Sequence, residues 1–465
     1  MQIAGWRVSL SGENMVLGKW LLLPLDESDG DVFGQIDSSG RPGNFHLTHE
    51  GEWRLDTMGA LGGDTPWDAI GQPPSPDIDT IYGRCADGSL RSLFGCIRHS
   101  SSLKLGQGVA QETWGGQWWG ESVTHLVVPS DCVDLVELRF ECLADWAGGG
   151  EAHAGEHLVA CLDRESRTFT MPDPIHHEAA GAEYRIVLSR DISARVGVAH
   201  FSAEKDASIT VFAESRLDRV YDDWVKPIRS LLAFLTLEPV EVPKAVCRLS
   251  DAEDMPPPRE PLVELRFSAL DRERPARSDD TVSNRLEMLA TLGQLQAKGL
   301  DLNRLLRNFL PLHHSEHATA ISYINDVNSG RLDRSVDSKL LHTIKALEIY
   351  CKQKGIPENL ADQIGFCVER AGATGAEIAG LWEARRDGRR LPSTVNSART
   401  RVAHGQPPGN ADQRWDLYCH YVSLTWIARH LYLLEMGLTE ADTADIMGQC
   451  DPFQSDKDTL KHFIR

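Results

Sequence analysis

Two periodicities divide the chain. Up to about residue 215 the apolar positions fall in short runs separated by Gly, Pro, Asp and Ser, and residues 136–142 alternate apolar and charged side chains. That alternation is the pattern of a half-buried antiparallel strand. Residues 184–188, 194–201 and 208–214 continue the theme. A β-sandwich or open barrel is the expected architecture of this half. The spacing then changes: Trp224, Ile228, Leu231, Leu232 and Leu235 predict one apolar helix face within residues 215–235. Two more extended pieces, 240–248 and 262–268, flank a stiff Met255-Pro256-Pro257-Pro258 loop, and the charged run 271–280 marks a domain boundary.

Beyond residue 281 the chain is helical throughout. Leu286, Leu289, Leu292 and Leu295 predict a first helix, with short ones at 302–312 and 318–329. Leu340, Leu341, Ile344, Leu347 and Cys351 form the next stripe, and helices follow at 359–371, 375–386 and 412–436, the last carrying Trp415, Tyr418, Val422, Trp426, Ile427, Leu431 and Leu434. Four or five helices with short connections make an up-and-down bundle. The expected fold is therefore α+β and multidomain: a β-rich part over 1–270, a helical connector over 271–330 and an all-α bundle over 331–465.

Charge sharpens this division. The net charge is −20, yet 16 of the 48 basic and 17 of the 68 acidic residues lie from Ser335 onward, so nearly all the excess acid precedes the bundle. Within the bundle Arg385, Arg386, Arg389, Arg390, Arg399 and Arg401 cluster, as a basic patch for RNA or as a solvated helix end. The ten cysteines include no Cys-x2-Cys pair, which fits a reducing cytoplasm, and neither a secretory signal nor a membrane span is visible.

Candidate chemistry concentrates in residues 393–405, where Arg399 precedes His404 by five positions and Gly405, Pro407 and Pro408 close the segment. Arginine grips a phosphate bidentately, and imidazole can give or take a proton near neutral pH. The same interval recurs at Arg41/His46 and Arg195/His200, but Pro42-Gly43 interrupts the first and the second lies in a strand-like stretch. Other candidates are weaker. Trp114, Trp118 and Trp119 sit in a Gly-rich segment that reads either as core and turn or as a binding platform; Cys142, His153, His157 and Cys161 have zinc-ligand chemistry without a zinc knuckle; His313, His314 and His317, with Glu316, read as a helix-start or surface cluster.

Arg399-x4-His404-Gly405, preceded by the Lys345-Ala346-Leu347-Glu348 segment, resembles the motif of the HEPN ribonucleases. Residues 18–24 and 32–36, Asp79-Thr80-Ile81-Tyr82-Gly83 and Leu93-Phe94 are similar to the start of ApeA-type bacterial abortive-infection proteins, which join a β-rich domain to a C-terminal HEPN domain. The resemblance implies an anti-phage endoribonuclease, independent of metals and cofactors, that cleaves cellular RNA, transfer RNA among the candidates, after a phage-derived trigger, a protein, appears. It assigns catalysis to Arg399 and His404 in a homodimer or higher homo-oligomer, with Glu348, Asn396, Thr400 and Arg401 in support. Thr400 departs from the pattern, which usually has an amide or acid after the arginine. The competing expectation is a non-catalytic ligand-binding protein whose helical part only dimerises.

Overall fold

The structure is a computed structural model. It describes residues 9–10, 13–23, 36, 40–47, 53–59, 61, 80–104, 109–116, 118–122, 127–140, 142–147, 162–163, 168–169, 175–196, 201–240, 245–250, 262–267, 288–329, 335–357, 359–384, 390–405 and 411–464. Among these residues fifteen strands join one antiparallel sheet and a helical region follows, an α+β architecture.

The sheet runs Ile175–Ala180, Arg185–Val196, Phe201–Arg216, Cys132–Leu138, Ala245–Leu249, Leu262–Phe267, Trp118–Ser122, Leu90–Phe94, Thr80–Cys85, Glu13–Leu23, Arg41–Leu47, Trp53–Met58, Val109–Gly115 and Ile97–Lys104, with Ser9–Leu10 added beside Glu13–Leu23. Phe45 and Trp119 lie four strands apart in this order, about 19 Å in a flat sheet. Their rings are 5.2 Å apart, edge to face. The sheet therefore curls over an aromatic core of Trp20, Phe45, Trp53, Trp114 and Trp119, yet continues past Trp118–Ser122 and stays open. Gly83 is needed for this curl, because a Cβ there would stand 2.3 Å from the Trp20 ring.

Twelve helices have bounds among the described residues, the first two between strands and the rest after the sheet: α1 Leu143–Ala147, α2 Lys226–Thr236, α3 Leu292–Ala297, α4 Leu302–His313, α5 His317–Ser329, α6 Val336–Gln353, α7 Leu360–Arg370, α8 Gly372–Glu383, α9 Leu391–Ala403, α10 Ala411–Glu435, α11 Glu440–Gln449 and α12 Asp451–Phe463. The expected helix over 215–235 begins late, since the strand runs on to Arg216 and a 3₁₀ and a π turn precede α2. Leu289 is buried but lies ahead of α3, which starts at Leu292 behind a Thr291/Gln294 capping box. The boundary run 271–280 is outside the described residues.

A second core unites the halves. Val136 and Val211 of the sheet, Leu231 of α2, Leu305 of α4, Ile344 of α6, Leu431 of α10 and Leu460 of α12 belong to one continuous cluster. Polar ties reinforce it: Arg429 Nη1 donates to Phe234 O at 2.9 Å, and Asn325 Nδ2 to Ser230 O at 3.0 Å.

Replacing Leu347, fully buried in α6, with alanine is expected to cost about 2–5 kcal/mol in denaturant unfolding, whereas exposed Leu17→Ala costs under about 0.5 kcal/mol. Buried histidines add a pH dependence. Burial, with the His314 and Lys226 charges adding to it, pushes His313 from the usual 6.5 down to about 4, and burial with Arg370 does the same to His430. A lowered folded pKa means that the unfolded chain binds the proton first, so stability is present above pH 6.5 and declines as pH falls toward 4. Each histidine should remove roughly 1–2 kcal/mol by pH 5, and His313→Gln should flatten that slope in denaturation series at stepped pH.

Candidate functional site

The motif helix is α9. Its N-cap position, Arg390, is extended (φ −91°, ψ 152°), and Pro392 occupies the first turn, where a missing N–H costs nothing. Leu391, Thr394, Val395 and Ala398 make the buried stripe that packs mainly on α7. The hydroxyls turn back on the helix: Ser393 Oγ donates to Arg390 O and Thr394 Oγ1 to Leu391 O, both at 2.9 Å, and Thr400 Oγ1 to Asn396 O at 2.9 Å. The helix stops at His404, whose backbone N–H donates to Thr400 O at 3.1 Å; Gly405, at φ +63°, turns the chain away.

This geometry leaves both motif side chains at the surface. Arg399 sits on the flank of α9 that faces α6, with Nη2 3.0 Å from Glu348 Oε1, while Lys345 Nζ lies 3.4 Å from Glu348 Oε2. Glu348 stands at the edge of the α6 stripe, 20% exposed, and Arg399 is 45% exposed. An ion pair this open adds about 0–1 kcal/mol, so its effect is to orient the guanidinium rather than to hold the fold. A guanidinium has five N–H donors, and those not directed at Glu348 can meet an oxyanion. His404 is exposed at the helix end, five residues and about 7.5 Å of helix rise beyond.

The supporting candidates divide around this pair. Asn396 lies about 60° round the helix from Arg399 and shares its exposed side with Thr400, whose O–H is already directed to the Asn396 carbonyl. Arg401 falls about 200° away, on the opposite flank. Arg390 is exposed at the other end of α9, and Arg385, Arg386 and Arg389 lie outside the described residues. Of the competing intervals, Arg41 and His46 both lie on one strand; Arg195 is also on a strand and His200 is outside the described residues.

The three other sequence candidates fare unequally in the structure. The Trp-rich segment takes the core reading, on two strands rather than a turn: Trp114 and Trp119 are buried, and Trp118 stacks on Phe94 at 3.9 Å, so no open platform forms among the described residues. His313 ends α4 and is buried; His317 starts α5, as the helix-start reading expects, but is buried with Nδ1 3.0 Å from the Tyr432 hydroxyl; only His314 of the three is exposed. The curled sheet and the tight turn after α4 bring these apolar surroundings together, which spacing alone did not reveal. Cys142 is buried, while His153, His157 and Cys161 lie outside the described residues; among the described residues no group of three or more His, Cys, Asp or Glu side chains is placed to hold a metal. Sequence reasoning also passed over Arg429, a cation in the apolar run 422–434, although that misfit was visible.

Residues 35–301 match the family model of ApeA N-terminal domain 1. The chain belongs to the ApeA family. That membership makes it an anti-phage defence protein of the abortive-infection kind. The ApeA match takes in the sheet from Arg41–Leu47 to Leu262–Phe267 together with α1, α2 and α3, and ends before the motif helix. Of the quoted N-terminal residues, 93–94, 80–83 and 18–23 fall on three neighbouring strands, Leu90–Phe94, Thr80–Cys85 and Glu13–Leu23, the last of which precedes the matched residues; 24, 32–35 and 79 lie outside the described residues. No curated protein and no solved structure matches the chain. Among the described residues no helix is long and apolar enough to cross a membrane.

Glu348→Gln removes the acceptor charge for Arg399 without opening a cavity. Its thermal unfolding midpoint should fall by no more than the equivalent of about 1 kcal/mol. A loss above about 3 kcal/mol would mean that the pair is a structural strut.

Proposed function

We propose that the chain is a metal-independent endoribonuclease of anti-phage defence in which Arg399 and His404 carry the reaction. The observation supporting it is the placement of both side chains at the exposed end of a firmly packed helix, with Arg399 oriented by Glu348. In the reaction, a 2′-OH attacks the adjacent phosphorus as its proton passes to a base, the phosphorus–5′-oxygen bond breaks, and the leaving oxygen takes a proton from an acid. The products are a 2′,3′-cyclic phosphate and a 5′-OH. His404 exchanges the proton, and Arg399 holds the phosphoryl oxygens as charge develops on them. One imidazole serves poorly as base and acid within one turnover. Two copies related by a twofold axis would supply one for each task.

The remainder follows from this assignment. The acidic β-rich half keeps bulk RNA away by charge and receives a phage-derived trigger, a protein. Single-stranded loops, those of transfer RNA included, expose the free 2′-OH that the reaction needs. The Glu348 carboxylate favours a second reading, because a neutralised Arg399 suits a protein that binds a ligand through its β half and dimerises through its helices without catalysis.

His404→Ala should abolish protection, raising phage plating by about 10²-fold or more, and Arg399→Ala should do nearly the same. Both proteins should remain folded, since neither side chain is buried. Undiminished protection by folded His404→Ala protein would reject the nuclease reading in favour of the second.

A further inference from the structure

The helix α10 carries a cation where none is expected. Arg429 is 1% exposed, and its Nη1 donates to Phe234 O, but Nε and Nη2 have no partner among the described residues. The Phe234 ring, 5.1 Å from the guanidinium carbon, offsets only part of the cost of removing this charge from water. A buried guanidinium with an idle N–H fork is an uncommon arrangement, because such charges are ordinarily met by an anion.

The guanidinium lines a cavity of about 480 Å³ bounded by α10, the N-terminal turns of α6 and α12, and Leu237. Lys339 lines it too, makes no ion pair among the described residues, and has its ammonium 5.7 Å from the Tyr421 ring. Burial pulls the Lys339 pKa downward, as expected of a cation lacking a carboxylate neighbour. Two carboxylates also line the space, Asp451 and Asp456, the latter accepting from Trp426 Nε1 at 2.8 Å. Two cations against two carboxylates leave the walls near neutral. Asp456 already accepts from Trp426, while Arg429 keeps idle N–H groups and Lys339 has no ion pair among the described residues. The cations can therefore meet one small anion, whereas the two carboxylates would repel the further charges of a polyphosphate.

We propose that Arg429 and Lys339 form a binding site for a small, singly charged oxyanion, a carboxylate or a monoanionic phosphate. The N–H fork of Arg429 meets two of its oxygens and Lys339 supplies the second positive charge. The site lies at the joint between the ApeA-matched part and the helices: α2 contributes the Phe234 carbonyl, and Leu237, the cap of α2, is the one non-glycine residue with positive φ among the described residues, at 58°. Lys339 shares α6 with Glu348, nine residues and about 14 Å of helix rise away, so the ligand sits on the element that orients Arg399. Binding itself does not depend on the ribonuclease reading.

The test uses the purified full chain and follows thermal unfolding in sodium phosphate, sodium acetate and sodium chloride at matched ionic strength. A saturable rise in midpoint with phosphate or acetate beyond that with chloride is expected. Lys339→Gln, at a half-buried position, should fold normally and weaken the apparent Kd at least tenfold. If Arg429→Lys folds, it should weaken it similarly, because it keeps the charge but loses the fork. The proposal is overturned if neither anion exceeds chloride, or if folded Lys339→Gln protein binds as the wild type does.

Discussion

The Ala411–Glu435 helix has, from Val422 onward, little polar face to turn toward water. From Val422 to Leu433 every residue is buried, and α6, α8, α11 and α12 surround it. A helix enclosed in this way gains its stability from apolar surface removed from water on all sides, and every polar group on it must find a partner inside. Several do. Trp382 of α8 donates to Ser423 Oγ at 3.0 Å, His430 Nδ1 lies 3.0 Å from Thr374 Oγ1, and Thr425 Oγ1 lies 3.2 Å from Thr343 Oγ1. The other helices take their positions from these contacts and from the packing between them.

The same constraint reaches the β half and the candidate site. Arg429 ties the buried helix to the α2 carbonyl of Phe234, and α2 packs in the core shared by sheet and helices. On the other side α6, in contact with α10, presents Glu348 to Arg399. Arg399 is therefore placed by a chain of buried contacts even though its own ion pair is weak. Exposure at the tip with rigidity beneath is the combination a reactive pair needs, since positioning within a fraction of an ångström governs the rate of phosphoryl chemistry.

Sequence periodicity revealed the helical half up to Glu435, because α6 and α7 carry regular apolar stripes with Ser335 and Asn359 as caps. It missed α11 and α12, where Ile446, Met447, Phe453 and Leu460 are widely spaced among Asp, Gln and Lys; the Thr439 cap bonding Asp442 N and the Asp451-Pro452 start were the available signals. In the β half alternation located the long Arg185–Val196 and Phe201–Arg216 hairpin in pieces but gave no account of strand order. Strand order follows from which faces meet in three dimensions, as when Phe45 reaches Trp119 across the curl. The exposed end of α9 could be read from Gly405 and the prolines beyond it. The meeting of Arg399 with Glu348 could not be read from spacing, as 51 residues separate them and only the packing of α9 on its neighbours brings them together.

The most direct measurement is sequencing of RNA termini after incubating cellular RNA with purified wild-type protein in EDTA, beside Arg399→Ala and His404→Ala protein. The account predicts new 2′,3′-cyclic phosphate and 5′-OH ends with the wild type alone, in the presence of a phage lysate that supplies the trigger. Identical termini in all three samples, with and without lysate, would contradict it and leave the exposed pair as a helix end without chemistry.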